Sequence, residues 1–467
     1  MTRACCRLWL SLALGLAGVP SPAVAAAQSP PQGQVAGSAE ATATADDLIR
    51  VADEVAREVE ALRGWTFTQP VRKRLVSPQQ VRQYLEKQLE TALPPGQIAV
   101  VQAFLRTIGL IPPGCDLKAT ALALLENQIA GYYEPDTKTM NLVPRPGGVP
   151  AIVERIMLAH ELTHALDDQH ADLKALITPS PTRTEDSDIV ISSVIEGSAT
   201  GLMLQYLARA QKAGRVDLQE LVLYAAREME RSKAFLDAPR YFSAMLASYI
   251  CGMQFLTRGD VTALMMADDN RAIGANLLAA RKDLPRSSEQ ILHPAKYWNP
   301  AERDEPVIVS DEAAEKWLAQ PGRWVVHRNT VGELLVALLA APRDRRPDLA
   351  TMQTAEGWTT PAARGWGGDR FYLLGSGRDA ADAARSLTDL RGVWVTVWDS
   401  QGDRDEFVAT LPQSSVPAAY AVMPMGTFGA VVLIGFDDTE RGRLAAQLDR
   451  TPLPLTRNGT AWPPPAR

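Results

Sequence analysis

Residues 159–170 read Ala-His-Glu-Leu-Thr-His-Ala-Leu-Asp-Asp-Gln-His, and the spacing of His160, Glu161 and His164 within them decides how the rest of the chain is read. An α-helix turns about 100° per residue, so side chains four apart stack on one face, with Cβ atoms roughly 5–6 Å apart. Two imidazoles placed this way can share one metal ion. Glu161, one step round from His160, is then within reach of a water at that metal and can take its proton. Leu158, Leu162 and Leu166 recur every four residues on the opposite face, which predicts a helix over roughly Ala151 to Gln169 with one face packed and the other free for chemistry. The alternative is an ordinary amphipathic helix with two surface histidines. Only five histidines occur in the chain, so two of them meeting by chance in this spacing is improbable.

A catalytic zinc needs three protein ligands and an open position. Glu196, in Val-Ile-Glu-Gly-Ser-Ala, is one candidate for the third. It sits in an apolar run where an unpaired carboxylate would be costly, and Gly197 and Ala199 would let its helix approach the metal closely. The other candidate is His170, six residues after His164. That spacing needs a sharp turn at position 167, which glycine permits and Asp167 tolerates less well.

The 467 residues, 46% hydrophobic and 22% charged, suffice for a sizeable core in two or three domains. A net charge of −6 argues against nucleic acid as a partner. The start reads as an export signal: Arg3 and Arg7, then apolar residues from Leu8 to Val19, then Ala23-Val24-Ala25 as a cleavage site. This predicts a secreted or periplasmic protein with no stable membrane anchor once residues 1–27 are removed, because the apolar run is too short to span a bilayer. Cys5 and Cys6 would leave with the signal. Cys115 and Cys251 remain, as one disulfide or two buried thiols.

The expected organisation is a disordered lead-in over 28–45, an N-terminal helical region over 46–115, a catalytic domain over 116–345 and an α+β unit over 346–467. Asp46 to Ala130 reads as four helices, with Ser77 capping the second, and is either a prodomain or the front of the catalytic domain. Gly131 to Val143 reads as a β-hairpin about Pro135-Asp136-Thr137-Lys138, either structural or an edge for extended substrate. A long helix carrying Glu196 should end at Gly214. From 346 a linker or loop gives way to strands in Asp369–Leu374, Gly392–Asp399 and Ala430–Phe436, with helices between. The acidic run Trp398–Phe407 lacks calcium-loop spacing and reads as a helix cap about Asp403 and Glu406.

With these residues in view, His160 to Asp168 resembles the corresponding stretch of thermolysin-like zinc peptidases, and a downstream glutamate in an Glu-Gly-x-Ala context is similar to the third ligand of gluzincins. The likeness covers about a tenth of the chain. It implies an α+β fold, mainly α-helical and zincin-like with a small β-sheet, and hydrolysis of peptide or protein substrates. It also implies Zn2+ held by His160, His164 and Glu196, with Glu161 as general base. Gluzincins often place a histidine and a tyrosine at the developing oxyanion, and His293 with Tyr297 is the best-spaced pair, ahead of Tyr133 and Tyr249; His327 reads as structural. Two departures stand out: the gap to the glutamate is longer, and Thr200 occupies the place of an aspartate that steadies a ligand in the family. Asp168 is the candidate replacement. The stretches around His170, His293, Gly367 and Asp403 are also similar to uncharacterised secreted bacterial proteins of this gluzincin-like kind. The rival from another class is a secreted scaffold or binding protein that keeps zinc without turnover; the retained Glu161 argues against it.

Overall fold

The computed structural model describes residues 45–126, 129, 131–144, 149–343 and 351–463. The expected signal and nearly all of the lead-in lie outside them. No described helix is long and apolar enough to cross a membrane. The fold is α+β, with most of the described residues in helices and three small sheets among them.

Helix α1 (Ala45–Arg63) follows from Ala52, Val55, Val59 and Leu62, which recur at steps of three and four and are all buried. It stops at Gly64, whose positive φ of 71° suits a residue without a side chain. The capping box on Ser77 and Gln80 opens the next helix, Pro78–Ala92, where the sequence places it.

Helix α2 (Ala151–Ala171) carries the two histidines and begins directly after Pro150. Its leucine face is buried, and so is its polar face: His160, Glu161, His164, Asp167 and Asp168 are all buried. The expectation of one open face therefore fails, because helices and a hairpin pack over both faces around the two histidines. Helix α3 (Glu185–Lys212) carries Glu196 and starts at a capping box made by Thr184 and Ser187. It crosses α4 (Ala244–Leu256) at Gly197 and Gly252. A methyl group on Gly197 would lie 2.0 Å from the Gly252 carbonyl carbon, and one on Gly252 would lie 1.9 Å from the Ser193 oxygen. Gly197 thus serves helix crossing: the close approach it permits is to α4, not the approach to a metal expected of it.

Strands β1 (Arg72–Leu75), β2 (Gly131–Glu134) and β3 (Thr139–Leu142) form the first sheet, in the order β1-β3-β2. The hairpin β2–β3 is antiparallel, as its turn residues predict, while β1 joins β3 in parallel and had no signature in the sequence. A minor sheet pairs β4 (Ile308–Val309) with Leu455–Arg457, which in turn pairs with Thr460–Ala461.

The third sheet is antiparallel, β5-β6-β7-β9-β8, built from β5 (Arg323–Asn329), β6 (Trp366–Ser376), β7 (Thr388–Trp398), β8 (Tyr420–Met425) and β9 (Gly429–Ile434). It begins at Arg323, upstream of the boundary expected at 346. Successive strand residues face opposite sides. Phe371, Leu373, Trp394 and Val432 therefore join the helical core, whereas Tyr372, Leu374, Val393, Val395 and Val431 form a second core under helices Asp311–Leu318 and Asp438–Arg450. One face of the C-terminal unit is thus part of the main core. The described part of the expected linker is packed as well: Met352 and Trp358 are buried, and the Trp358 indole donates to the Met352 carbonyl at 2.9 Å. In the acidic run, Ser400 caps the helix over Gln401–Thr410 in place of the expected Asp403.

Carboxylates at helix starts tie neighbouring elements together. Asp369 on β6 accepts from the backbone of Val331 and Gly332, both at 2.8 Å, opening α6 (Gly332–Ala340). Asp186, in the first turn of α3, accepts from Ser288 N at 2.9 Å at the start of α5 (Ser288–Leu292). Each satisfies N–H groups that have no partner within their own helix. Cys115 and Cys251 are both buried free thiols, which decides between the two expectations.

Candidate metal centre

Three side chains converge where α2 faces α3. His160 Nε2 lies 3.1 Å from His164 Nε2 and 3.2 Å from Glu196 Oε2, and His164 Nε2 lies 3.6 Å from the same oxygen. Zinc bonds of about 2.0–2.2 Å at tetrahedral angles separate ligand atoms by about 3.3–3.6 Å, so this triangle has the size of a metal-binding face. Burial pushes the His160 imidazole down to about 3 and, mainly through the same cause, His164 to about 4. Both are neutral at pH 7 and present lone pairs, the form that binds metal. Burial pushes the Glu196 carboxyl up, against the opposing pull of His164 and Tyr249 beside it. The donor set of two imidazoles and one carboxylate fits zinc with one position left open.

His170 does not join them. Helix α2 runs on without a turn at Asp167, and His170 stacks on Trp65 at 4.8 Å with Nε2 2.9 Å from the Thr66 carbonyl oxygen. It belongs to a strap formed by residues 63–69, in which the Gln169 amide exchanges hydrogen bonds with the backbone of Thr68 and Gln69.

Glu161 points from α2 to the hairpin, where Oε2 accepts the Tyr133 backbone N–H at 3.0 Å. Asp168 holds the same hairpin: it accepts from the Tyr133 hydroxyl at 2.8 Å and from Lys138 Nζ at 2.6 Å. It makes no bond to His164, so the supporting role expected of it goes to the hairpin. Thr200 Oγ1 and His160 Nδ1 are buried without a hydrogen-bond partner among the described residues.

The tyrosine of this site is Tyr249 on α4. Its ring lies over His160 at 5.9 Å with 27° between planes, and its hydroxyl donates to Glu196. His293 and Tyr297 are elsewhere engaged. His293 Nε2 lies 3.0 Å from the buried Glu333, and the Tyr297 hydroxyl donates to the Asp283 carbonyl. Neither bonds to the triad. Tyr249 carried only a weak sequence signal, a lone aromatic in an apolar helix. His327 leans on Phe104 at 5.3 Å and bonds Asn329, both structural contacts.

A second group of acids, Glu289, Asp304 and Asp399, surrounds Lys296 Nζ at 2.5, 3.0 and 3.2 Å, with Arg457 on Asp304 and Asp399. Two side-chain cations, Lys296 and Arg457, pair with these three acids.

Compared with known proteins, residues 322–420 match a family described as Domain of unknown function (DUF8575). The match spans β5 to the first residue of β8 and contains none of His160, Glu161, His164 and Glu196. No curated protein and no solved structure matches the chain.

Proposed function

We propose that the chain is an exported zinc-dependent peptidase of gluzincin type, with His160, His164 and Glu196 as ligands and Glu161 as general base. The observation that carries this reading is the triangle of Nε2, Nε2 and Oε2 atoms with edges of 3.1, 3.2 and 3.6 Å, beside a carboxylate one residue from the first ligand. Bound there, zinc supplies Lewis acidity toward a carbonyl and lowers the pKa of water. Glu161 accepts the proton of the attacking water and passes it to the leaving amine nitrogen. The Tyr133 N–H fixes the orientation of that carboxylate. Tyr249 orients Glu196 and brings a hydroxyl to the same space. Strand β2, an edge of the first sheet, is buried against α2, and its Tyr133 N–H is taken by Glu161.

The test is metal content and turnover together. Purified protein is expected to hold one zinc per chain and to cleave casein, Glu161→Ala to keep zinc and lose cleavage, and Glu196→Ala to lose zinc while His170→Ala keeps it. Zinc binding without cleavage of any member of a broad peptide library would leave a binding protein. Zinc loss in His170→Ala alone would overturn the ligand set.

A further inference from the structure

The last residue of α1 reaches both helices that carry the metal-centre residues. Arg63 is fully buried. Its Nη2 lies 3.0 Å from Asp167, three residues past His164 on α2, and 2.7 Å from Ser198 Oγ, two residues past Glu196 on α3. Its Nη1 donates to Asn270 Oδ1 at 2.6 Å, and Ser198 Oγ donates to Asp167 Oδ2 at 2.6 Å. A guanidinium is a planar fork that can bond several acceptors in fixed directions, which an ammonium cannot do. Burying that charge is costly unless it is paired and hydrogen-bonded. Here both Nη atoms are bonded, though Nε has no partner among the described residues, and two of the three partners, Asp167 and Ser198, sit on the helices whose separation sets the distance from the histidine nitrogens to Glu196 Oε2.

We propose that Arg63 is a positioning residue of the metal centre: by clasping Asp167 and Ser198 it holds α2 and α3 at the spacing that three ligands to one ion require. The inference rests on the zinc reading above. It assigns to Asp167 a structural reason for standing where a turn-forming glycine would serve a different ligand set. It also makes α1 a working part of the centre, which favours the front of a catalytic domain over a removable prodomain.

Zinc dissociation constants measured by competition with a chromophoric chelator test this on the full chain, together with thermal melts of the zinc-free protein. Arg63→Lys keeps the charge and loses the fork, and Ser198→Ala removes only the bond to α3. Mutating groups that orient metal ligands typically weakens binding about 10–100-fold. Arg63→Lys is expected to weaken zinc at least about tenfold, Ser198→Ala several-fold, and Arg57→Ala, exposed on the same helix, not at all. A merely structural clasp would lower the melting temperature and leave the dissociation constant unchanged. Dissociation constants within about twofold of wild type would overturn the proposal, and Ser198→Ala decides it alone if Arg63→Lys does not fold. Wild type that takes up no zinc would instead overturn the metal reading, and this inference with it.

Discussion

The backbone N–H of Tyr133 donates to Glu161 Oε2 at 3.0 Å, so the edge strand of a hairpin holds the one carboxylate of α2 that stands between two histidines. A carboxamide has the same shape and still accepts that bond, yet it cannot take a proton. Glu161→Gln is therefore expected to fold with an unchanged melting temperature, to bind zinc within about twofold of wild type, and to lose about 10²–10⁴ in kcat, the usual worth of a general base. Isothermal titration with zinc and a fluorogenic peptide assay check both halves. A variant that retains near-wild-type turnover would remove Glu161 from the chemistry.

Tyr249→Phe keeps the ring over His160 and deletes the hydroxyl on Glu196. The loss of a hydrogen bond to a charged group, about 1.5–3 kcal/mol, corresponds to roughly 10–10² in kcat/KM. His293→Ala and Tyr297→Phe, whose partners are Glu333 and the Asp283 carbonyl, should change kcat/KM by less than about threefold, well below a tenfold step of 1.4 kcal/mol. Parallel kinetics on the three variants would reverse the assignment if the order came out the other way.

At the α3–α4 crossing, the methyl group of Gly252→Ala would meet the Ser193 oxygen at 1.9 Å, so the helices must separate. Overpacking of this kind costs about 1–3 kcal/mol, sometimes more. Tyr249, three residues earlier on α4, moves away from Glu196 as they part. Urea unfolding should show the lost stability and zinc titration a weaker site. Unchanged zinc affinity in a destabilised variant would separate the crossing from the centre.

Burial pushes the Asp186 carboxyl up to about 7, despite the N–H and hydroxyl of Ser288 on it. In the unfolded chain it titrates near 3.8. A folded pKa raised above the unfolded one gives a contribution that is complete below the lower value and is lost as pH rises through the higher. Asp186→Asn, which stays neutral and still accepts from Ser288 N, should therefore gain on wild type in melting temperature between pH 5 and pH 8 (values chosen about the pKa of 7). A difference independent of pH would contradict the assigned shift.

How much of this was readable in the sequence follows from the range of the interactions. The limits of α2, the cap at Ser77 and the hairpin about Pro135–Lys138 are set by residues a few positions apart, and pattern alone finds them. The meeting of Glu196 with the histidines was legible because a carboxylate in so apolar a run needs a partner. Burial of the polar face of α2 was not, since it depends on what the rest of the chain lays over it. Strand β1, with the sequence Arg-Lys-Arg-Leu, has no alternation to betray it and exists through its parallel ladder with β3. Strand β8 carries Pro424, which is tolerated on an edge. Tyr249 and Arg63 look like an ordinary core aromatic and an ordinary helix-end cation, and only the folded chain brings them to the centre.

The partners of Arg63 follow it by 104, 135 and 207 residues. A chain delivered N-terminus first presents this guanidinium well before Asp167 and Ser198 emerge, and before Asn270 completes its shell. Contacts so distant in sequence close late, because the entropy of the intervening loops must be overcome first. A partly delivered chain that stops short of Asn270 thus has both histidines but not the complete set of bonds that spaces α2 and α3. In refolding monitored with a zinc-sensitive dye, metal uptake is expected to follow the slowest phase, and uptake in the earliest phase would show the spacing to be set locally.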